Sequence, residues 1–275
     1  MKFISHLGAT AASLGKILLL SRKPFGRRKR PETDRLIILG NGPSLRAAID
    51  HNLPELMNAY RLAVNFAANA PEFSTLRPQY YVLADGHFFR GLRSDNNVAR
   101  LYDNLNSATH EMTLFVPAKF MSAARSLISN KLINLSPFNL TPVEGFPGVT
   151  ATLFDLGLGM PRPRNVLIPS IMIGIRLGFR HIILCGADHT WSRTLGVDDE
   201  NRVISVQPHF YKDTASEQKR VNTEYEGYHL HDILKSLYIA FRSYHEIAAY
   251  ASRRGVSILN ATPGSMIDAF PRCSL

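Results

Sequence analysis

Cysteine is scarce in this sequence: Cys185 and Cys273 are the only two among 275 residues. Two thiols cannot build a disulfide framework or a four-thiolate zinc site, and neither belongs to a CxxC pair. The sequence also has no HExxH, no Walker A GK[ST] element and no complete GxGxxG. These absences exclude disulfide-rich and zinc-ribbon classes and favour a reducing, cytosolic compartment.

Acidic residues are absent from the first 30 positions, which hold eight Lys or Arg side chains. The whole chain has a formal charge of +10, so removing the +8 of this segment leaves only +2 on the rest. A nearly balanced body lacks the basic surface that is typical of nucleic-acid binding. We therefore expect no nucleic-acid partner, and assign the basic character to a tail.

The basic tail, residues 1–32, also contains an apolar stretch at 3–20 that His6 and Lys16 interrupt. The interruptions argue against a transmembrane helix, and the basic run follows the apolar stretch, unlike in a signal peptide. An interfacial helix beside a polybasic patch fits this order. We predict that residues 1–30 bind the anionic inner face of the cytoplasmic membrane. The alternative is that these residues form a disordered basic leader without membrane contact.

The body, residues 33–275, alternates short apolar runs with helical patterns, which predicts one α/β domain. Continuous apolar runs are typical of strands buried on both faces, so we expect a Rossmann-like, mostly parallel sheet with helices on both faces. The predicted strands are Arg35–Gly40, Leu62–Phe66, Tyr80–Asp85, Met112–Pro117, His181–Gly186 and Val256–Ala261. The predicted helices span 45–59, 97–106, 118–129, 165–178 and 230–254.

Two regions of the body lack this alternation. Residues 136–164 are rich in Pro and Gly and predict an irregular segment. Residues 190–228 are polar with little periodicity and predict a long loop or a lid over a site. Ligands of open α/β sheets bind at the carboxyl ends of the strands, so we expect the site at that edge.

The loop after the first predicted strand, Gly40-Asn41-Gly42-Pro43-Ser44, is a candidate nucleotide-binding element. Its glycines allow a ligand to approach the backbone closely. Ser44 is a candidate N-cap of a helix whose free N–H groups suit a phosphate. A tight strand-to-helix turn without a ligand is the alternative.

Polar residues also end three other predicted strands: Asn65, Asp85, and the neighbours Asp188 and His189. Side chains at these positions point into the strand-end crevice and can hydrogen-bond a ribose or another sugar, although each alone is more often a cap or turn residue. Adjacent residues of a strand face opposite ways, so one of Asp188 and His189 is expected to be structural.

Further substrate-binding candidates lie in the two irregular regions and at the helix between them. Arg164, Asn165 and Ser170 lie at or before the start of a predicted helix, where an arginine would neutralise a phosphate or a carboxylate. Exposed arginines of a Pro-rich segment are the alternative. His209 and Tyr211 belong to the predicted lid.

No metal-binding residues are expected. His229 and His231 are two positions apart, which is poor ligand spacing on a helix. The acidic run at 198–200 has no second acidic cluster to support it, so an exposed turn is favoured over a cation site.

The order of these motifs resembles two related groups of proteins. It rests on GNGPSL after the first strand, Asn65 after the second, Asp85-Gly86 after the third, and LGFRHIILCGADHTW. One group is the 6-hydroxymethylpterin diphosphokinase MptE-like family, which includes motility accessory factors linked to flagellin glycosylation. The other is the bacterial CMP-sialic-acid-dependent sialyltransferases of lipooligosaccharide. The resemblance covers roughly residues 35–270.

The resemblance to the sialyltransferases implies a metal-independent glycosyltransferase of surface-polysaccharide assembly that uses a CMP-activated acidic sugar and no further cofactor. A histidine would remove the proton of the acceptor hydroxyl, with His231 as first candidate and His229 as second, and with His209 or His189 next. The residues that would contact the nucleotide are Gly40, Asn41, Gly42, Ser44, Asn65 and Asp85.

Two alternatives remain at this point. The resemblance to the MptE-like family implies a diphosphokinase that transfers pyrophosphate from ATP to a small alcohol and needs Mg²⁺. A membrane-associated accessory protein that binds a nucleotide or glycan without catalysis is the third interpretation. The leading expectation is an enzyme whose partners are a nucleotide sugar and a glycan acceptor; these patterns do not indicate an oligomeric state.

Overall fold

The computed structural model describes residues 2–26, 33–90, 95–204 and 227–275. Seven strands form one sheet in which every neighbouring pair is parallel. These strands are β1 (Arg35–Leu39), β2 (Tyr60–Val64), β3 (Tyr80–Val82), β4 (Met112–Pro117), β5 (Ile133–Phe138), β6 (His181–Cys185) and β9 (Ser257–Asn260). Their spatial order is β5-β4-β3-β2-β1-β6-β9. The expected Rossmann-like α/β fold is therefore confirmed.

Helices precede and connect the parallel strands. They are α1 (Lys2–Leu20), α2 (Ser44–Met57), α3 (Phe73–Leu76), α4 (His87–Arg90), α5 (Asn96–Asn106), α6 (Met121–Leu127), α7 (Pro147–Asp155), α8 (Leu167–Leu177) and α9 (Leu230–Arg253). A short antiparallel pair, β7 (Gly196–Val197) and β8 (Val203–Ile204), lies apart from the main sheet.

The central strand β1 shows why the strand sequences are apolar throughout. Leu36 and Ile38 pack in one cluster with residues of α8 and α9. Ile37 and Leu39 point the other way and pack with residues of α2. Successive side chains of a strand face opposite sides, so a strand covered on both faces needs apolar residues at every position.

The segment 136–164 contains more regular structure than its composition predicts. Strand β5 enters it and pairs with β4, and helix α7 lies in its middle. Pro137 is tolerated because β5 is an edge strand, and Pro147 occupies the first turn of α7, where a helix needs no proline N–H. Pro137 and Pro147, which suggest an irregular segment in the sequence, therefore lie in an edge strand and at the start of a helix.

The region 190–228 is described only in part. A 3-10 turn at Trp191–Arg193 leads into the β7–β8 hairpin. Residues 205–226 lie outside the described ranges, so the lid stays a prediction, and so do the roles of His209 and Tyr211 within it.

Candidate functional site

A cavity of about 460 Å³ opens at the carboxyl ends of the strands. Its walls are residues 40–43 after β1, 64–66 after β2, 84–88 after β3, 163–167 before α8 and 188–191 after β6. From β1 the chain proceeds through β2 to β5 on one side, and it returns to β6 on the other. The cavity therefore lies at the point where the strand order reverses, which is where open α/β sheets bind their ligands.

Most of the candidate site residues line this cavity. Of the predicted nucleotide-binding residues, the cavity is lined by Gly40, Asn41, Gly42, Asn65 and Asp85. Of the predicted substrate-binding residues, it is lined by Arg164, Asn165, Asp188 and His189. Residues that are up to 149 positions apart in the sequence thus line the same cavity, because parallel strands bring their carboxyl ends to the same edge of the sheet.

The loops after β1 and β6 contact each other where they line the cavity. The Gly42 N–H donates to the Gly186 carbonyl at 2.9 Å, and the Ser44 hydroxyl donates to Asp188 Oδ2 at 2.7 Å. A Cβ atom at Gly40 would overlap the Gly186 carbonyl, and one at Gly42 would overlap the Asp188 carboxylate. Both glycines are therefore required by packing between the loops, and the Ser44 hydroxyl orients Asp188.

The loop after β9 forms hydrogen bonds with the backbone that follows β6. The Ala187 N–H donates to the Thr262 hydroxyl at 2.9 Å, and the Ser265 hydroxyl donates to the Ala187 carbonyl at 2.6 Å. The Met266 N–H donates to the Asp188 carbonyl at 2.9 Å. These bonds fix the backbone from which Asp188 and His189 project.

Two residues of the cavity wall have left-handed backbone conformations. Asn65 has φ 50° and His189 has φ 53°. The Tyr81 hydroxyl holds the first of them by donating to the Asn65 carbonyl at 2.5 Å. Non-glycine residues adopt this region rarely, and such residues are concentrated at functional sites.

Two polar atoms of the wall are buried without a partner among the described residues. They are the side-chain oxygen of Asn41 and the side-chain nitrogen of Asn165. The other atoms of both amides are occupied, since Asn41 Nδ2 donates to the Val64 carbonyl at 3.2 Å and Asn165 Oδ1 accepts the Leu167 N–H at 3.0 Å. A buried polar atom without a partner costs about 1–3 kcal/mol, so one free acceptor and one free donor mark the places where a ligand can bind.

A chain of hydrogen bonds connects three residues on different elements. The Tyr244 hydroxyl donates to Asn165 Oδ1 at 2.9 Å, and it lies 2.6 Å from His189 Nε2. Because the hydroxyl proton is already used, Nε2 carries the proton of the imidazole and Nδ1 is an acceptor. Burial lowers the pKa of His189 to about 3, so the imidazole is neutral at neutral pH.

The His189→Asn variant is expected to make stability less sensitive to acid. In the unfolded chain His189 takes up a proton below its ordinary pKa of about 6.5, whereas the folded protein resists protonation down to about pH 3. Unaltered protein therefore loses stability as the pH falls through this window, by at most about 1.4 kcal/mol per pH unit for this one group. Asparagine tolerates the positive φ and does not titrate there.

Urea unfolding of both proteins between pH 4 and pH 7.5 measures this difference. Burial also lowers the pKa of His110, but that contribution is present in both proteins and cancels. Parallel stability curves for the variant and the unaltered protein would show that His189 does not resist protonation.

The charged groups of the cavity are few and of both signs. Arg164, Asp85 and Asp188 line it, and Arg164 and Asp85 are exposed. Among the residues that the structure describes, no three His, Cys, Asp or Glu side chains lie close enough together to hold a metal ion. The neighbouring Arg162 is ion-paired with Glu144 and is not part of the wall.

A histidine–carboxylate pair at the cavity rim was not identified from the sequence. His87 Nε2 lies 2.7 Å from Asp95 Oδ2, while Asp95 Oδ1 accepts the Asn97 N–H and so caps α5. The Asp85 carboxylate accepts the His87 N–H at 2.8 Å. The sequence gives little signal for this pair, because only the folded chain brings a histidine and an aspartate eight positions apart into contact.

Four candidates in the described part of the chain do not line the cavity, and one of them, Ser44, reaches it only through its bond to Asp188. Ser170 is fully buried in α8 and donates to the Val166 carbonyl at 2.7 Å. His229 caps the start of α9, where its N–H donates to Asp232, and His231 is exposed in the first turn. Tyr244 contacts the cavity wall, and 13 residues of helix place it about 20 Å along the axis from His231. The catalytic role of the two histidines stays a prediction.

No family model and no curated protein matches this chain. The fold resembles that of a solved glycosyltransferase. It is the MAf glycosyltransferase from Magnetospirillum magneticum AMB-1, with a TM-score of 0.53 over 100% of this chain and 12% sequence identity. The chain spans 39% of the length of that protein. At this identity the similarity shows a shared fold and assigns no residue roles.

Proposed function

We propose that this protein is a glycosyltransferase of surface-polysaccharide assembly that binds a CMP-activated acidic sugar in the cavity. The observation that carries the proposal is the meeting of the loops after β1 and β6 at the reversal of strand order. Nucleotides bind at such switch points in α/β proteins. The fold similarity to a glycosyltransferase supports the reaction class.

The free side-chain oxygen of Asn41 favours cytosine among the pyrimidines. It is a hydrogen-bond acceptor without a partner in the described residues, so it suits the exocyclic amino group of cytosine. Uracil presents a carbonyl oxygen at that position, which would place two acceptors opposite each other. We therefore expect tighter binding of CMP than of UMP.

The phosphate and the carboxylate of such a donor need positive or N–H groups. Arg164 supplies a cation at the rim, and Asn165 Nδ2 supplies a donor without a competing partner among the described residues. The start of α2 at Ser44 adds backbone N–H groups. Donors that are in place before the reaction stabilise the charge that develops as CMP leaves.

His87 is better placed than His231 to accept the proton of the acceptor hydroxyl. It lines the cavity, and Asp95 orients its ring through Nε2, which leaves Nδ1 as the basic nitrogen. A base that is oriented by a carboxylate is the usual arrangement for activating a hydroxyl nucleophile. Within the described ranges His231 hydrogen-bonds no residue of the cavity wall, and its Nε2 lies 3.5 Å from Asp232 Oδ1.

A thermal-shift series tests the nucleotide first. CMP, UMP, GDP, ADP and ATP are compared at equal concentration, and CMP is expected to raise the melting temperature most, because a bound ligand stabilises the folded state. Transfer from a CMP-linked nonulosonate is then measured with EDTA and with Mg²⁺. Stabilisation by CMP without turnover of any donor would support the accessory protein instead.

The His87→Ala variant is expected to lower turnover by about 10²–10⁴ while the affinity for CMP stays within about threefold. The matched control is His231→Ala, which removes an exposed imidazole and is expected to leave turnover nearly unchanged. A steady-state assay with a parallel CMP titration measures both. The reverse result would assign the base to His231, as the sequence predicts.

The diphosphokinase remains the second candidate because Asp85 and Asp188 both line the cavity, where carboxylates can bind Mg²⁺ with ATP. Dependence on Mg²⁺ separates the two functions. Preferential stabilisation by Mg²⁺ with ATP, and pyrophosphate transfer that EDTA abolishes, would replace the glycosyltransferase proposal.

A further inference from the structure

Helix α1 turns its large apolar side chains toward solvent. The exposed fractions range from 43% for Leu14 to 84% for Leu18. With 3.6 residues per turn, five of the exposed apolar positions fall within a sector of about 100° on one side of the helix, and the exposed Leu19 and Leu20 lie outside that sector at the end of the helix. This apolar face of α1 consists of Phe3, Ile4, Leu7, Leu14 and Leu18.

The side of α1 that contacts the body is mainly polar, with Ile17 as the apolar residue that packs against the core. Thr10 and Ser13 are buried there. Thr10 Oγ1 accepts a hydrogen bond from the Phe146 N–H at 2.9 Å. The Ser13 hydroxyl donates to the Glu144 carbonyl at 2.8 Å and accepts from the Glu144 N–H at 2.9 Å. Surface helices of globular proteins bury their apolar side and expose their polar side, whereas α1 leaves most of its large apolar side chains exposed.

Positive charge follows the apolar face directly. Arg22 and Lys23 come just after α1 and are both exposed. The sequence adds four consecutive basic residues at 27–30 and no acidic residue in the first 30 positions. Apolar side chains beside a cluster of Lys and Arg match the two layers of an anionic bilayer surface, with acyl chains under negative headgroups.

We propose that the apolar face of α1 inserts in the plane of an anionic bilayer surface while α1 stays docked on the body. One described stretch, Phe3–Leu20, is long and apolar enough to cross a membrane by length and composition. Thr10 and Ser13 lie in the middle of that stretch and bond the body, so a spanning helix would have to give up these contacts. The in-plane position keeps them and uses the exposed side chains.

Vesicle co-sedimentation of the full chain tests the proposal. Phosphatidylcholine vesicles with and without about 30% phosphatidylglycerol, a composition chosen to give a negative surface potential, are compared. Three glutamates are placed on the apolar face: Leu7→Glu, Leu14→Glu and Leu18→Glu. The control has the same three charges at exposed leucines elsewhere: Leu132→Glu, Leu156→Glu and Leu234→Glu.

The α1 variant is expected to lose at least about tenfold in partition to anionic vesicles, and the control to stay within about twofold. Binding of the unaltered chain should weaken between 0.1 M and 1 M salt, since the Debye length falls from about 10 Å to about 3 Å. Unchanged partition of the α1 variant would overturn the proposal. Equal loss in the control would overturn it as well.

Further outcomes of these measurements would assign the apolar face of α1 to something other than an anionic bilayer surface. Equal binding to neutral vesicles, or retention after an alkaline wash as for a spanning helix, would overturn in-plane anionic binding. A dimer in light scattering without vesicles that the α1 variant abolishes would assign the face to a second copy of the chain. Stabilisation by CMP should be the same in all three proteins, so the result does not depend on the proposed function.

Discussion

The Gly42→Ala variant is expected to bind CMP at least about 100-fold more weakly while it remains folded, which corresponds to about 2.7 kcal/mol of binding free energy. A Cβ at this position would overlap the Asp188 carboxylate and crowd the Gly186 carbonyl. The loop after β1 must therefore move, and with it the backbone that we expect to face the nucleotide. Isothermal titration with CMP measures the change.

The control for this variant is Gly148→Ala, because an added Cβ at Gly148 meets nothing within 4 Å. It is expected to bind CMP normally. Circular dichroism and the melting temperature confirm that both proteins fold. CMP affinity within about threefold of the unaltered protein in folded Gly42→Ala would mean that this loop does not contact the nucleotide.

The Asn165→Asp variant is expected to lower the affinity for the sugar donor by about 10²-fold and also to lower stability, because it places charge where Nδ2 is buried without a partner among the described residues. Aspartate keeps an oxygen that accepts the Leu167 N–H and the Tyr244 hydroxyl. It replaces the free Nδ2 donor by a second oxygen, so a buried donor becomes an acceptor that repels an anionic ligand. Donor titration together with urea unfolding separates the two effects.

Asn134→Asp introduces the same charge change at an exposed position of the edge strand β5 and is the matched control. It should leave the donor affinity unchanged. If Asn165→Asp were already unfolded under the conditions of the donor titration, its weaker binding would reflect a lost fold and not a lost contact. If both variants bound the donor equally well, Asn165 would not face it.

The loop after β1 could be predicted from the sequence because its signals are local. An apolar run predicts the strand, and Gly40, Gly42 and Ser44 mark the turn into a helix. The reason for the second glycine is not local, because the carboxylate that excludes a Cβ there belongs to Asp188, 146 positions later. The residue types of the loop therefore do not predict that contact.

The edge strand β5 and the helix α7 could not be predicted, because proline has opposite meanings at different positions. Pro137 would disrupt a central strand, but an edge strand tolerates it. Whether a strand lies at the edge follows from the strand order, and the strand order is decided by how the helices pack on the two faces.

The same limit applied to the histidines. The sequence favours His231 because of a family pattern, and it does not identify His87. The structure places His87 on the rim beside Asp95, and it places His231 in the exposed first turn of α9. The distance between a side chain and a cavity depends on the path of the chain through space, which neighbours in sequence do not reveal.

By itself, the sequence determined the α/β class, predicted a ligand site at the strand ends, and showed that most of the net positive charge lies in the first 30 residues. These properties follow from the period of apolar residues and from composition, which are local quantities. Only the tertiary structure decided the strand order, the reversal between β1 and β6 where the cavity lies, and the outward direction of the apolar face of α1. Each of these depends on contacts between residues more than a hundred positions apart, where packing and hydrogen bonding select one arrangement.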